Sequence, residues 1–169
     1  MGYKNRIIKK ALETIVYLSQ SDHRHYWILK AIYVADKEHL RKYGRQIFSD
    51  TYIAMKLGPV PSLAYDIVKT VRGDGCLSVD SIDLTEAITV PDSYTIKPLR
   101  KANLGVFSDS EIECLDYALS VVLPMSFDQL KKFSHDEAFL ASSENDEISL
   151  DSIVNSLENG RELLEYLNS

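Results

Sequence analysis

The residues able to do chemistry in this 169-residue chain stand in a few small groups. His23 and His25 are two apart, and Asp36 and His39 are three apart on a helical pattern, spacings that could present ligands to one metal ion. Cys76 or Cys114 with His135 is the pair that a thiol nucleophile and its base would need. None of these closes into a site. Nothing elsewhere supplies a matching HxxxH or cysteine pair, so a turn histidine pair and an exposed His39 are expected instead. Cys114 falls between Ile112 and Leu115 on an amphipathic helix, where a buried structural thiol is the expectation. GxSxG elbows, HExxH helices and glycine-rich phosphate loops are all missing. Enzyme chemistry has no positive support, and neither a metal nor a cofactor is implied.

The one charged residue that demands an explanation is Asp36. Leu29, Tyr33, Asp36, Leu40 and Tyr43 recur at steps of four and three, so Asp36 sits on the line that faces the core. A bare buried carboxylate costs several kcal/mol, so it must be hydrogen-bonded or paired. Arg45, Tyr52 and His135 are the candidate partners. Tyrosine is the other outlier, ten against five phenylalanines and one tryptophan. That composition suits either rings in the core with hydroxyls at its boundary, or a recognition surface.

The elements that hold these residues follow from periodicity. Residues 4 to 20 form a helix with Ile7, Ile8, Ala11, Leu12, Ile15 and Leu18 on one side. Ser21 or Asp22 can cap a second helix from about 24 to Tyr43, stopped by Gly44. Thr51 to Leu57 alternates like a strand and ends at the Gly58-Pro59-Val60-Pro61 corner, with Pro61 in the first turn of the next helix. That helix carries Leu63, Ile67, Val68 and Val71. Ile88–Val90 and Tyr94–Leu99 make a hairpin, which the Met55 strand would be able to join. Residues 79 to 93 carry acids and no base and read as a solvated loop or edge. Capping boxes open helices at Ser108–Glu111, Ser126–Gln129 and Ser134–Glu137. Ser142 to Glu147 reads as a loop, followed by helices at 150–157 and 161–167. The fold class is α+β, predominantly α-helical, one compact domain over 1–169 with a small antiparallel sheet or hairpin.

Composition narrows the function. The 45% hydrophobic and 26% charged fractions are those of a globular chain, and a net charge of −6 argues against a general nucleic-acid binder. Lys4, Arg6, Lys9 and Lys10 give the amino-terminal helix a basic face, read as solvated. The start MGYKNRIIKK is neither a secretory leader nor a myristoylation signal, and no stretch is apolar enough for a membrane span. Two cysteines make no disulfide framework, so a reducing cytoplasm is expected.

Several motifs taken together closely resemble the Panacea domain, the antitoxin-associated, SocA-like or phage-associated family. They are Ile32-Tyr33-Val34-Ala35-Asp36, then His39 to Arg45 with its Tyr43-Gly44-Arg45, then Asp50 to Met55, and Gly58-Pro59-Val60-Pro61. The helix from Ser108 to Leu123 and the run Phe133 to Ala138 resemble its second block, so the motif core covers about 5–141, with a helical tail at about 148–169. Phe139 stands where the family usually has tryptophan. The resemblance implies an antitoxin that neutralises a cognate, translation-targeting toxin by direct protein–protein binding, the toxin being encoded next door. Alternatives are an adaptor delivering the toxin to a protease, and an enzyme reversing the toxin's modification. No direct nucleic-acid contact and no membrane are expected, and homo-oligomerisation stays open. Motif positions serving as toxin contacts or scaffold are Tyr33, Asp36, Tyr43, Arg45, Tyr52, Lys56, Gly58, Pro59, His135 and Phe139.

Overall fold

In the computed structural model, which describes residues 2–77, 79 and 81–169, one helix is enclosed by nearly everything else. This is α2 (His25–Tyr43), buried without interruption from Ile28 to Asp36 and again at His39 and Leu40. A helix covered on all sides needs neighbours on all sides. They are α1 (Tyr3–Ser19), α4 (Asp109–Val122), α5 (Phe127–Ser134), α7 (Leu150–Asn155) and the strand β2 (Gly58–Pro61). The α4 contact is the most extensive, and α4 buries Cys114, Leu115, Ala118, Leu119 and Val122. Gly44 ends α2 in the left-handed conformation, φ 74°, with its N–H on the Leu40 carbonyl.

The remaining elements are β1 (Tyr52–Met55), α3 (Ser62–Arg72), the hairpin β3 (Ile88–Asp92) and β4 (Thr95–Pro98), α6 (Glu137–Leu140), β5 (Glu147–Ile148) and α8 (Gly160–Leu167). Predominantly helical α+β is therefore the architecture. The amino end of α2 is tied to the hairpin by backbone bonds, His25 N–H to Tyr94 O at 2.8 Å and Ile96 N–H to His23 O at 2.9 Å. Neither Ser21 nor Asp22 caps it. Arg24 is the N-cap residue and makes no side-chain cap bond, while Asp22 clasps the Arg24 guanidinium.

The Gly58–Pro61 stretch is a strand rather than a corner. It pairs antiparallel with β1 in the register Tyr52↔Pro61 to Met55↔Gly58. Two prolines are tolerated because β2 is the edge of a sheet ordered β2-β1-β5, where missing N–H groups cost the ladder nothing. Pro61 accordingly precedes α3 as its N-cap residue. The Met55 strand joins β5, not the β3–β4 hairpin, so the expected loop at 142–147 ends in a strand: Asn145 turns at φ 67° and its N–H reaches Ala54 O. Capping boxes form at Ser108–Glu111 and Ser126–Gln129. The third expected box does not. Ser134 closes α5, and Asp136 caps α6 by accepting from Phe139 N–H at 3.0 Å. Asp80, part of the acidic run, lies outside the described residues.

Candidate functional site

From the buried middle of α2, side chains reach the sheet on one flank and α6 on another. Tyr33 and Tyr52 meet edge to face with ring centroids 5.0 Å apart. Tyr52 donates its hydroxyl to Asp36 Oδ2 at 2.6 Å, and Ile47 N–H donates to Asp36 Oδ1 at 2.8 Å. Tyr33 donates instead to Asp136, 2.8 and 3.1 Å from its two oxygens, and Lys37 Nζ joins that carboxylate at 2.7 Å. Asp136 thus caps α6 and anchors it to α2 in one step.

Among the described residues Asp36 has no cationic partner. Burial pushes its carboxyl up to about 7, despite the opposing bonds from Tyr52 and Ile47. Of its three candidate partners only Tyr52 is used. Arg45 pairs with Glu111 at 2.7 Å, and His135 Nδ1 lies against Lys131 O while its ring packs tilted at 60° against Phe139, 4.3 Å between centroids.

Lys30 is the second buried charge on α2, 2% exposed, its ammonium donating to Pro59 O at 2.8 Å. Burial lowers it to about 7. The Gly58 backbone passes so close that a Cβ there would stand 2.9 Å from Ser134 Oγ and 3.1 Å from Lys30 Cε. At φ 121° an L side chain would be strained as well. Asp50 closes the sheet-to-helix turn, accepting from Thr51, Leu63 and Ala64 N–H. The resemblance-derived residues Tyr33, Asp36, Tyr52, Gly58 and Pro59 are therefore one assembly, with His135 and Phe139 at its α6 margin.

Tyr43, Arg45 and Lys56 lie elsewhere. Tyr43 is 45% exposed, where a core position was expected, and donates to Glu113 at 2.9 Å. Arg45 and Lys10 share Glu111 Oε2. Lys56 is exposed in the β1–β2 turn. His39, expected at the surface, is fully buried between Arg45 O (2.7 Å) and Ser110 Oγ (2.9 Å). Cys114 is buried as expected, its thiol pushed up to about 11 by burial. Among the described residues no group of three or more His, Cys, Asp or Glu is placed to hold a metal ion.

The arrangement is a brace: hydroxyls, carboxylates and the Lys30 and Lys37 ammonium groups make hydrogen bonds to one another and to the backbone. Lys30, Asp50 and Asp136 carry much of it, and sequence reasoning did not single them out. The only cue for Lys30 was its place between Leu29 and Ala31 in an apolar run.

A family model described as antitoxin SocA-like, Panacea domain, matches residues 28–139. The chain belongs to this SocA-like Panacea family. No curated protein and no solved structure matches it. The Panacea span opens inside α2 at Ile28 and closes at Phe139 in α6, so it encloses the whole brace. The helices α1, α7 and α8 and the strand β5 lie outside it. Membership supports an antitoxin role in general terms. No helix among the described residues is long and apolar enough to cross a membrane.

Proposed function

We propose that this Panacea chain, read as one domain, is the antitoxin of a toxin–antitoxin pair and neutralises its cognate toxin by holding it in a stoichiometric complex. The observation that carries this is the family match over residues 28–139. The brace adds a physical reason for binding rather than turnover, since its carboxylates and tyrosine hydroxyls are occupied with one another and with the backbone. Tyr33, Asp36, Tyr52, Gly58 and Pro59 then serve as scaffold, and toxin contacts fall on exposed positions. A net charge of −6 suits a basic, RNA-directed toxin, because complementary fields raise the association rate more than the final affinity. The setting is the cytoplasm and the toxin is encoded by a neighbouring gene.

The test is co-expression with each adjacent gene, scored by growth, by co-purification and by the half-life of the neighbour's product. A product that is toxic alone, harmless with this chain and recovered near one to one is the expected result. Rescue with a shortened half-life and no stable complex points to a protease adaptor instead. Rescue at far less than one chain per toxin points to an enzyme.

A further inference from the structure

Beside the brace lies an open pocket of about 290 Å³, walled by Tyr26, Leu29, Met55, Leu57, Val60 and Tyr65. Among the described residues, the charged groups that line it are Lys30 and Lys56. Just outside, Lys69 Nζ lies 4.7 Å above the Tyr65 ring and is held loosely by Asp66 at 3.4 Å, while Arg72 pairs with Asp74. In a chain of net charge −6 this mouth is locally basic.

Two polar groups on its wall are under-supplied. The Lys30 ammonium has three N–H groups and one oxygen acceptor, Pro59 O, with the Tyr26 ring face 4.6 Å away. His25 Nε2 is buried and has no hydrogen-bond partner among the described residues. Burial, with Arg72 and Lys30 nearby, holds that imidazole down at about 4, so it is neutral at pH 7. Buried polar atoms left unpaired call for an explanation, and a missing acceptor or donor from outside is a simple one.

The rim is built like an interface core. Tyr26 and Phe127 rings stand 4.8 Å apart, Trp27 packs on both, and the Arg24 guanidinium lies 3.8 Å over the Trp27 ring. Phe127 and Leu57 remain 39% and 41% exposed. Tryptophan, tyrosine and arginine around an apolar pocket are the residues that dominate binding energy once a partner covers them.

We infer that this pocket is a docking site for a segment of a protein partner that places an apolar side chain between Leu57 and Tyr65 and a carboxylate against Lys30 and Lys56. It rests on the binding function proposed above and deepens it by naming the surface and the local chemistry it selects, an acidic-apolar segment on a partner whose overall charge is basic. An acidic group satisfies the Lys30 ammonium, and a backbone or side-chain polar atom of the same segment satisfies His25 Nε2. The apolar neighbour fills walls that water fills poorly.

The test is a random peptide display selection against the purified full chain, followed by affinity measurement of the selected peptides on two variants. Leu57→Asp and Lys56→Glu both change exposed turn residues, and Tyr166→Ser, at a side chain 69% exposed on α8 beside Gly44, the opposite end of α2 from His25, is the control. Thermal melts establish that each variant is folded. The expected result is enrichment of leucine, isoleucine or phenylalanine within two positions of Asp or Glu. Binding should fall about tenfold or more for each turn variant and be unchanged for the control. No enrichment, basic peptides, or peptides indifferent to both turn variants would overturn the pocket. Acidic-apolar peptides selected by a chain whose neighbours are neither toxic nor bound would keep the pocket and remove the antitoxin. A bound, neutralised toxin that no turn variant weakens would do the reverse.

Discussion

Asp36 and Glu111 are both 1% exposed, yet the chain holds these two carboxylates by opposite means. Asp36 meets only neutral donors, Tyr52 O–H and Ile47 N–H, and burial keeps its carboxyl high. Burial would raise Glu111 too, but Lys10, Arg45 and the Ser108 N–H together outweigh it and hold it low. The difference is position. Glu111 opens α4 at the seam with α1, where long cationic side chains reach in from solvent; Lys10 and Arg45 keep 23% and 52% of their side-chain surface exposed. Asp36 sits where no such stem can reach. Buried charge in this fold is neutralised at the seams and tuned by burial at the centre.

Removing each carboxylate tests that contrast. Asp36→Ala leaves two buried donors without an acceptor and a hole beside Tyr52, a cost of about 3–4 kcal/mol. Glu111→Ala lets Lys10 and Arg45 return to water and loses mainly a cap, a cost of about 1–2 kcal/mol. Urea melts at pH 5 measure both. Equal losses would mean that the seam is as dry as the centre. Loss of neutralisation in Asp36→Ala with an unchanged melt would mean that Asp36 touches the toxin.

Acid titration sharpens the comparison, because the two carboxyls pull stability in opposite directions. The folded Asp36 carboxyl, near 7, lies above its unfolded value of 3.8, so between them the native state binds the extra proton. Its contribution falls as pH rises from about 4 to 7, by on the order of 4 kcal/mol. Glu111 lies below its unfolded 4.5, so its contribution is present above that value and lost as pH falls. Lys30, lowered from 10.5 to about 7, adds stability as pH rises through that interval, since the unfolded chain then binds the extra proton. The expected profile dips near neutral pH. Asp36→Asn should remove the acid arm, Lys30→Met the alkaline arm, and Glu111→Gln neither.

How much of this was legible depended on distance along the chain. The Ser108 and Ser126 capping boxes close within three residues, and spacing alone reveals them. Asp36 was legible as a problem, because helical period places it inward, and Tyr52 as one of its answers. The Tyr33–Asp136 bond spans 103 residues and joins two motif residues that no local pattern connects. β5 is two residues long and gains its strand only from β1, far upstream, so a polar run was its natural reading. Lys30 was hidden by its own shape: a long apolar stem makes burial cheap, while its terminal charge marks it as a surface residue. His39 was misplaced because its two partners, Arg45 O and Ser110, come from a loop and a distant helix.

The smallest expected effect separates two tyrosines that the sequence placed in one stretch. Tyr52 is buried and its hydroxyl serves Asp36; Tyr52→Phe keeps the ring contact with Tyr33 but leaves Asp36 with one donor, a loss of about 1–2 kcal/mol. Tyr43 lies one turn beyond the enclosed part of α2. Its hydroxyl reaches Glu113, which Lys42 also holds and which keeps 49% of its side-chain surface exposed. A bond that water can replace contributes almost nothing net, so Tyr43→Phe should leave the thermal midpoint unchanged within error. A measurable drop would show that the ring, packed 4.9 Å from buried His39, depends on the hydroxyl for its orientation, and would extend the brace to the end of α2.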